Sequence, residues 1–83
     1  EKNDFYKAIE VITEGIKNNN DSSFLYYNRS CFYVNIGELH KAFNDLIKSI
    51  ELNDLFFEYM IKDKELDKLR NLNEYNDYLK SKL

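Results

Sequence analysis

The chain has 83 residues, 33% of them charged, with a net charge of −3, which is enough for one small folded domain. The acidic balance argues against general nucleic-acid binding, because a phosphate backbone is held by a basic surface. No apolar segment approaches the roughly 20 residues that span a bilayer, so we expect a soluble protein without a membrane partner.

Apolar residues recur at helical spacing through the first two thirds of the chain. Steps of three and four residues from Phe5 to Ile16 define one face and predict a helix over 4–17. A second helix is predicted over 23–36, stopped by Gly37, and a third over 39–52. Because the connections are so short, consecutive helices should pack as antiparallel hairpins.

The remaining third of the chain keeps the helical pattern but changes its spacing. A fourth helix is predicted over 54–62, followed by a short turn and a last helix over 73–81. Proline is absent and glycine occurs twice, so few residues would interrupt these helices. The whole pattern predicts an all-α fold.

The chain also matches itself when it is shifted by 34 residues. The shift aligns apolar, small and basic positions with similar residues: Phe5 with Leu39, Lys7 with Lys41, Ala8 with Ala42, Ile12 with Leu46, Gly15 with Ser49, and Ile16 with Ile50. A helix-turn-helix unit that repeats every 34 residues is typical of the tetratricopeptide repeat (TPR). Small residues at Ala8 and Ala42 would let neighbouring helices approach closely.

The segment from Tyr26 to Asp54 resembles one nearly complete TPR repeat, although Arg29 stands where leucine is usual and Asp54 where the repeat often closes with proline. The resemblance implies a TPR-like, right-handed stack of antiparallel helix hairpins ending in a C-terminal capping helix. It divides a single domain, 1–83, into three parts: a half repeat (3–20), a complete repeat (21–54), and a partial repeat with the cap (55–83). The residues expected to pack the repeats are Phe5, Ala8, Ile12, Tyr26, Ser30, Tyr33, Gly37, Leu39, Ala42, Leu46 and Ser49.

In a stacked array the first helices of successive repeats line a concave surface, where residues off the packing face meet a ligand. The residues expected to line this groove are Tyr27, Asn28, Cys31, Asn35, Glu58, Ile61 and Lys62. Asn28 is of particular interest, because an amide can donate to and accept from a peptide backbone at once. The predicted function is therefore a scaffold that binds a peptide or protein segment through this groove.

The sequence offers few residues for a catalytic or metal site. A catalytic site needs convergent groups, and Cys31 and His40 are the only candidates for a nucleophile and base, on different predicted helices. One cysteine and one histidine do not make a zinc site, and no Gly-rich phosphate loop occurs. We therefore expect no enzyme activity, no metal, no cofactor and no small-molecule substrate.

The alternative to a peptide-binding scaffold is a structural or self-assembly module, either a homodimer or a domain that docks within its own protein. The first predicted helix would lack an upstream partner, which suggests a homodimer centred on Phe5, Tyr6, Ile9 and Phe32. The lone cysteine cannot form an internal disulfide, which favours a reducing, cytoplasmic location.

Overall fold

The computed structural model describes residues 2–83, and every regular element among them is a helix. The elements are α1 (Lys2–Asn18), α2 (Ser23–Asn35), α3 (Leu39–Leu52), α4 (Phe56–Lys62), a 3-10 helix (Lys64–Asn71) and α5 (Asn73–Lys82). The predicted all-α fold is confirmed. No helix in this part of the chain is both long enough and apolar enough to cross a membrane.

The connections between the first three helices are held by local hydrogen bonds. Ser22 caps α2, because its Oγ accepts a hydrogen bond from the backbone N–H of Leu25 at 3.3 Å. At the other end of α2, Gly37 has a φ of 84°, a conformation that a side chain would strain. The N–H groups of Gly37 and Glu38 reach back to the carbonyls of Val34 and Tyr33, which closes the helix. The short turn lets α3 fold back on α2.

The contact between α2 and α3 is closest where small residues meet. Ser30 and Ala42 are both 0% exposed, and the Ser30 Oγ donates to the Ala42 carbonyl at 2.7 Å. Leu46, Ser49 and Ile50 are buried on the same side of α3. A hydroxyl that reaches the backbone of the facing helix leaves no room for a larger side chain at Ala42.

Arg29 joins the three N-terminal helices through an ion pair with α3 and a hydrogen bond to α1. Arg29 on α2 donates from Nε and Nη2 to the two carboxylate oxygens of Asp45 on α3, at 2.7 and 2.8 Å, and from Nη1 to the Thr13 hydroxyl on α1 at 3.2 Å. The bond to Asp45 raises the pKa of Arg29. The guanidinium carbon also lies 5.7 Å from the ring centres of Tyr26 and Tyr33. Asp45 is only 6% exposed, so this charge is held inside the fold by its partner.

The C-terminal part is arranged around a second arginine. Leu66 and Leu69 of the 3-10 helix are fully buried together with Met60 of α4. Arg70 donates to the backbone carbonyls of Met60, Ile61 and Asp63, each at 3.1 Å. These carbonyls lie at the C-terminal end of α4, where a helix leaves acceptors unpaired and where a cation is favourable. The segment that the sequence predicted as a short turn is thus an eight-residue helix.

The predicted packing residues differ in how deeply they lie. Ser30, Ala42, Leu46 and Ser49 are buried, whereas Gly37 is exposed in its turn. The others are half-buried: Phe5, Ala8, Ile12, Tyr26, Tyr33 and Leu39. Among the predicted packing residues, the fully buried ones therefore lie on α2 and α3.

Candidate functional site

One side of α2 lines an open concavity of about 670 Å³. Four residues predicted for the groove meet there, because they recur on one face of the helix: Tyr27, Asn28, Cys31 and Asn35. Phe5 of α1 and Phe32 of α2 form part of the wall, with ring centres 5.8 Å apart. Asp63 and Glu65, at the start of the 3-10 helix, complete the lining.

A second concavity of about 320 Å³ adjoins the first. It shares Tyr27, Asn28 and Asp63 with the first and adds three aromatic rings, those of Phe24, Phe56 and Tyr59. The ring of Tyr27 lies 5.1 Å from that of Phe56 and 5.9 Å from that of Tyr59. We call the two adjoining concavities the groove.

Tyr27 ties the groove wall on α2 to the segment after α4. Its hydroxyl donates to one carboxylate oxygen of Asp63, while the other oxygen accepts from the backbone N–H of Glu65 at 2.9 Å. Burial, and then the bond to Asp63, raise the pKa of Tyr27 well above its ordinary value. These two hydrogen bonds hold the Asp63 carboxylate in place in the lining of the groove. The same carboxylate caps the 3-10 helix.

The two asparagines of the groove differ in what their amides already bind. Asn35 donates from Nδ2 to the Cys31 carbonyl of its own helix at 2.9 Å. Asn28 makes no side-chain hydrogen bond to residues 4–83, although it lines both concavities. Its amide can therefore both donate to and accept from a bound group.

The chemistry of Cys31 and His40 differs from that of a catalytic pair. Burial, then the negative charges of Glu65 and Asp63, raise the pKa of Cys31 to about 12, so its thiol stays protonated near neutral pH. His40 does not line the groove; its Nδ1 lies 2.7 Å from Oε2 of Glu74 on α5. A protonated thiol is a poor nucleophile.

The structure does not bring Glu58, Ile61 and Lys62 into the groove. All three are exposed, and neither concavity includes them. The reason is that α4 is only seven residues long and its buried residues, Phe56 and Met60, direct a different face of the helix inward. The side of the groove that these residues were expected to form is built instead by Tyr59, Asp63 and Glu65.

Asp63 and Glu65 are groove residues that the sequence pattern did not reveal. Their contribution depends on the chain leaving α4 at Asp63 and turning back toward α2, which no local periodicity reports. The one sequence signal was an aspartate directly before the 3-10 helix, at a position suited to capping. Phe24 was also missed, although it lies three and four residues before Tyr27 and Asn28, on the same face of α2.

Within the described part of the chain, no three His, Cys, Asp or Glu side chains come together to hold a metal ion. Comparison of the sequence and structure with protein-family models, curated proteins and solved structures finds no match.

Proposed function

We propose that this chain is a non-catalytic interaction module that binds an extended peptide or protein segment along the groove. The observation that supports it most directly is that Tyr27, Asn28, Cys31 and Asn35 of α2 line one open concavity. Such a site offers apolar contact area from aromatic rings together with an amide that makes no hydrogen bond to residues 4–83. The TPR-like, right-handed stacking and its division into repeats are part of this proposal, as is a cytoplasmic location, which the free Cys31 thiol favours.

The proposal is tested by selecting binders from a library of random peptides displayed on phage. Selected peptides are then titrated into the isotope-labelled chain, and amide chemical shifts identify the surface they contact. We expect the largest shifts at Tyr27, Asn28 and Cys31. Shifts confined to other surfaces, or a library that yields no binder, would overturn the proposal.

A matched pair of asparagine variants separates the groove from the rest of the surface. Asn28→Ala removes the amide in the groove, whereas Asn44→Ala removes an exposed amide on α3 that lines neither concavity. Loss of one hydrogen bond should weaken peptide binding by about 2- to 10-fold for Asn28→Ala. The Asn44→Ala variant should bind as the parent does, and equal weakening in both would contradict the assignment of the groove.

A self-assembly function is the second candidate, and exposed apolar side chains on α1 favour it. Tyr6 and Val11 are both more than half exposed. Phe5, Ile9 and Ile12, however, are already half-buried within the chain. A dimer would therefore bury little additional apolar surface at these three residues. Sedimentation at micromolar concentration distinguishes the two functions. A monomer excludes the homodimer. A dimer whose groove amides still shift when peptide is added is compatible with both functions.

A further inference from the structure

The charged residues of the groove all have one sign. Among its described lining residues, Asp63 and Glu65 are the charged ones, and no lysine or arginine accompanies them. Lys62 and Lys64, their neighbours in sequence, are exposed and line neither concavity. Glu65 is itself exposed, so a ligand in the groove can reach its carboxylate.

The two carboxylates act on groups inside the groove. Burial is the largest cause of the raised pKa of the Cys31 thiol, and the charges of both carboxylates raise it further. For the Tyr27 hydroxyl, burial and the Asp63 hydrogen bond are the largest causes, and the charges of both carboxylates again raise the pKa. Each effect has the direction expected of a negative potential, because it disfavours a further anion. A carboxylate or phosphate brought into the groove would meet the same repulsion, while a cation would be attracted.

The other half of the groove is aromatic and partly open. Phe24 and Tyr59 are 63% and 55% exposed beside the buried Phe56. The rings of Phe56 and Tyr59 are 5.2 Å apart and steeply inclined, at 66°. Exposed aromatic faces bind apolar side chains, and they also attract lysine and arginine through the ring quadrupole.

We propose that the partner segment is cationic: an extended peptide with lysine or arginine next to an apolar anchor. The basic side chains lie against Asp63 and Glu65, and the anchor packs among Phe24, Phe56 and Tyr59. This inference rests on the proposed peptide-binding function and adds the charge of the ligand to it.

The test uses three synthetic, terminally blocked peptides that share one leucine and one phenylalanine as anchors. Their flanking positions are all lysine, all serine or all glutamate. Binding is measured by isothermal titration, with groove occupancy checked by amide chemical shifts. We expect the lysine peptide to bind more tightly than the serine peptide, and the glutamate peptide to bind most weakly. Raising NaCl from about 50 mM to about 500 mM should weaken the lysine peptide alone.

Glu65→Gln and Glu51→Gln form the matched pair for this inference. Both glutamates are exposed, and Glu51, near the end of α3, lines neither concavity. Removing one partly exposed charge should weaken the lysine peptide by about 2- to 5-fold for Glu65→Gln and leave the serine peptide unchanged. Glu51→Gln should behave as the parent.

The outcomes separate this inference from the proposed function. If the serine or glutamate peptide binds in the groove as tightly as the lysine peptide, the cationic partner is overturned while peptide binding stands. If no peptide shifts groove amides, both fail. Groove shifts that depend on protein concentration alone would show a second copy of the chain in the groove, which also overturns a cationic peptide partner.

Discussion

Two sides of α2 differ in how far their polar groups are already used within the fold. On the side toward α3, Arg29 and Ser30 bind Asp45 and the Ala42 carbonyl, and Ser30 is fully buried. On the groove side, Asn28 has no side-chain hydrogen bond to residues 4–83, and the exposed carboxylate of Glu65 lines the same concavity. The difference shows that one helix can supply both a fully buried contact within the fold and an open, polar surface.

The largest expected effect is the loss of the buried ion pair. Asp45→Ala leaves the Arg29 guanidinium without its carboxylate in a largely buried position, which should lower the free energy of unfolding by about 3 to 5 kcal/mol. Urea denaturation followed by circular dichroism measures it. The control is the double variant Arg29→Met with Asp45→Leu, which removes both charges and should recover most of the loss. A cost below about 1 kcal/mol for Asp45→Ala would show that the pair does not hold the helices together.

The next effect is overpacking at the closest point between α2 and α3. Ala42→Leu adds volume where the Ser30 hydroxyl contacts the backbone, and it should cost about 1 to 3 kcal/mol. A thermal melt of the variant tests this. Lys48→Leu, at an exposed position on the same helix, serves as control for the added side chain and should melt close to the parent. Equal melting of both variants would contradict the close approach.

A third effect distinguishes the groove thiol from an exposed one. With the pKa of Cys31 near 12, its alkylation by iodoacetamide at about pH 8 should be at least about 10-fold slower than that of free cysteine. Glu65→Gln removes one cause of the raised pKa, so it should accelerate the reaction.

The raised pKa of Cys31 also makes the stability of the fold depend on pH in a defined direction. Below pH 9, the ordinary pKa of the thiol, it stays protonated in both states and its contribution is constant. As the pH rises from there toward 12, the unfolded chain ionises first and the folded state loses stability. Denaturation at a series of alkaline pH values should therefore show Cys31→Ser losing less stability than the parent over this range. A parent whose stability is flat over that range would contradict the raised pKa.

The smallest expected effect is on the groove side of α2. Asn28→Ala and Glu65→Gln remove exposed or unengaged polar groups, so each should change the free energy of unfolding by no more than about 0.5 kcal/mol. The same urea titrations used for Asp45→Ala measure them side by side. A large loss in either variant would mean that the groove residues serve the fold rather than a ligand.

Arg29 and Arg70 show where sequence reasoning reached its limit. Arg29 was recognised only as a departure from a leucine, and its partner Asp45 was not identified, although it lies three residues after Ala42 and four before Ser49 on a packing face. Arg70 was assigned no role from the sequence, yet it donates to three carbonyls at the end of α4. From sequence alone, a charged residue on a helix is assigned to the solvent-exposed face, because the residue that it contacts is not known.

The sequence by itself determined the five α-helices, but not the 3-10 helix. Their bounds agree with the predicted ones to within two residues, because helical periodicity, a serine cap and a turn glycine act over a few neighbouring positions. It also placed Tyr27, Asn28, Cys31 and Asn35 on one face of α2. Only the tertiary structure decided what lies opposite that face. Asp63 and Glu65 arrive there through the turn after α4, more than 25 residues along the chain, where pairing depends on packing rather than on local spacing.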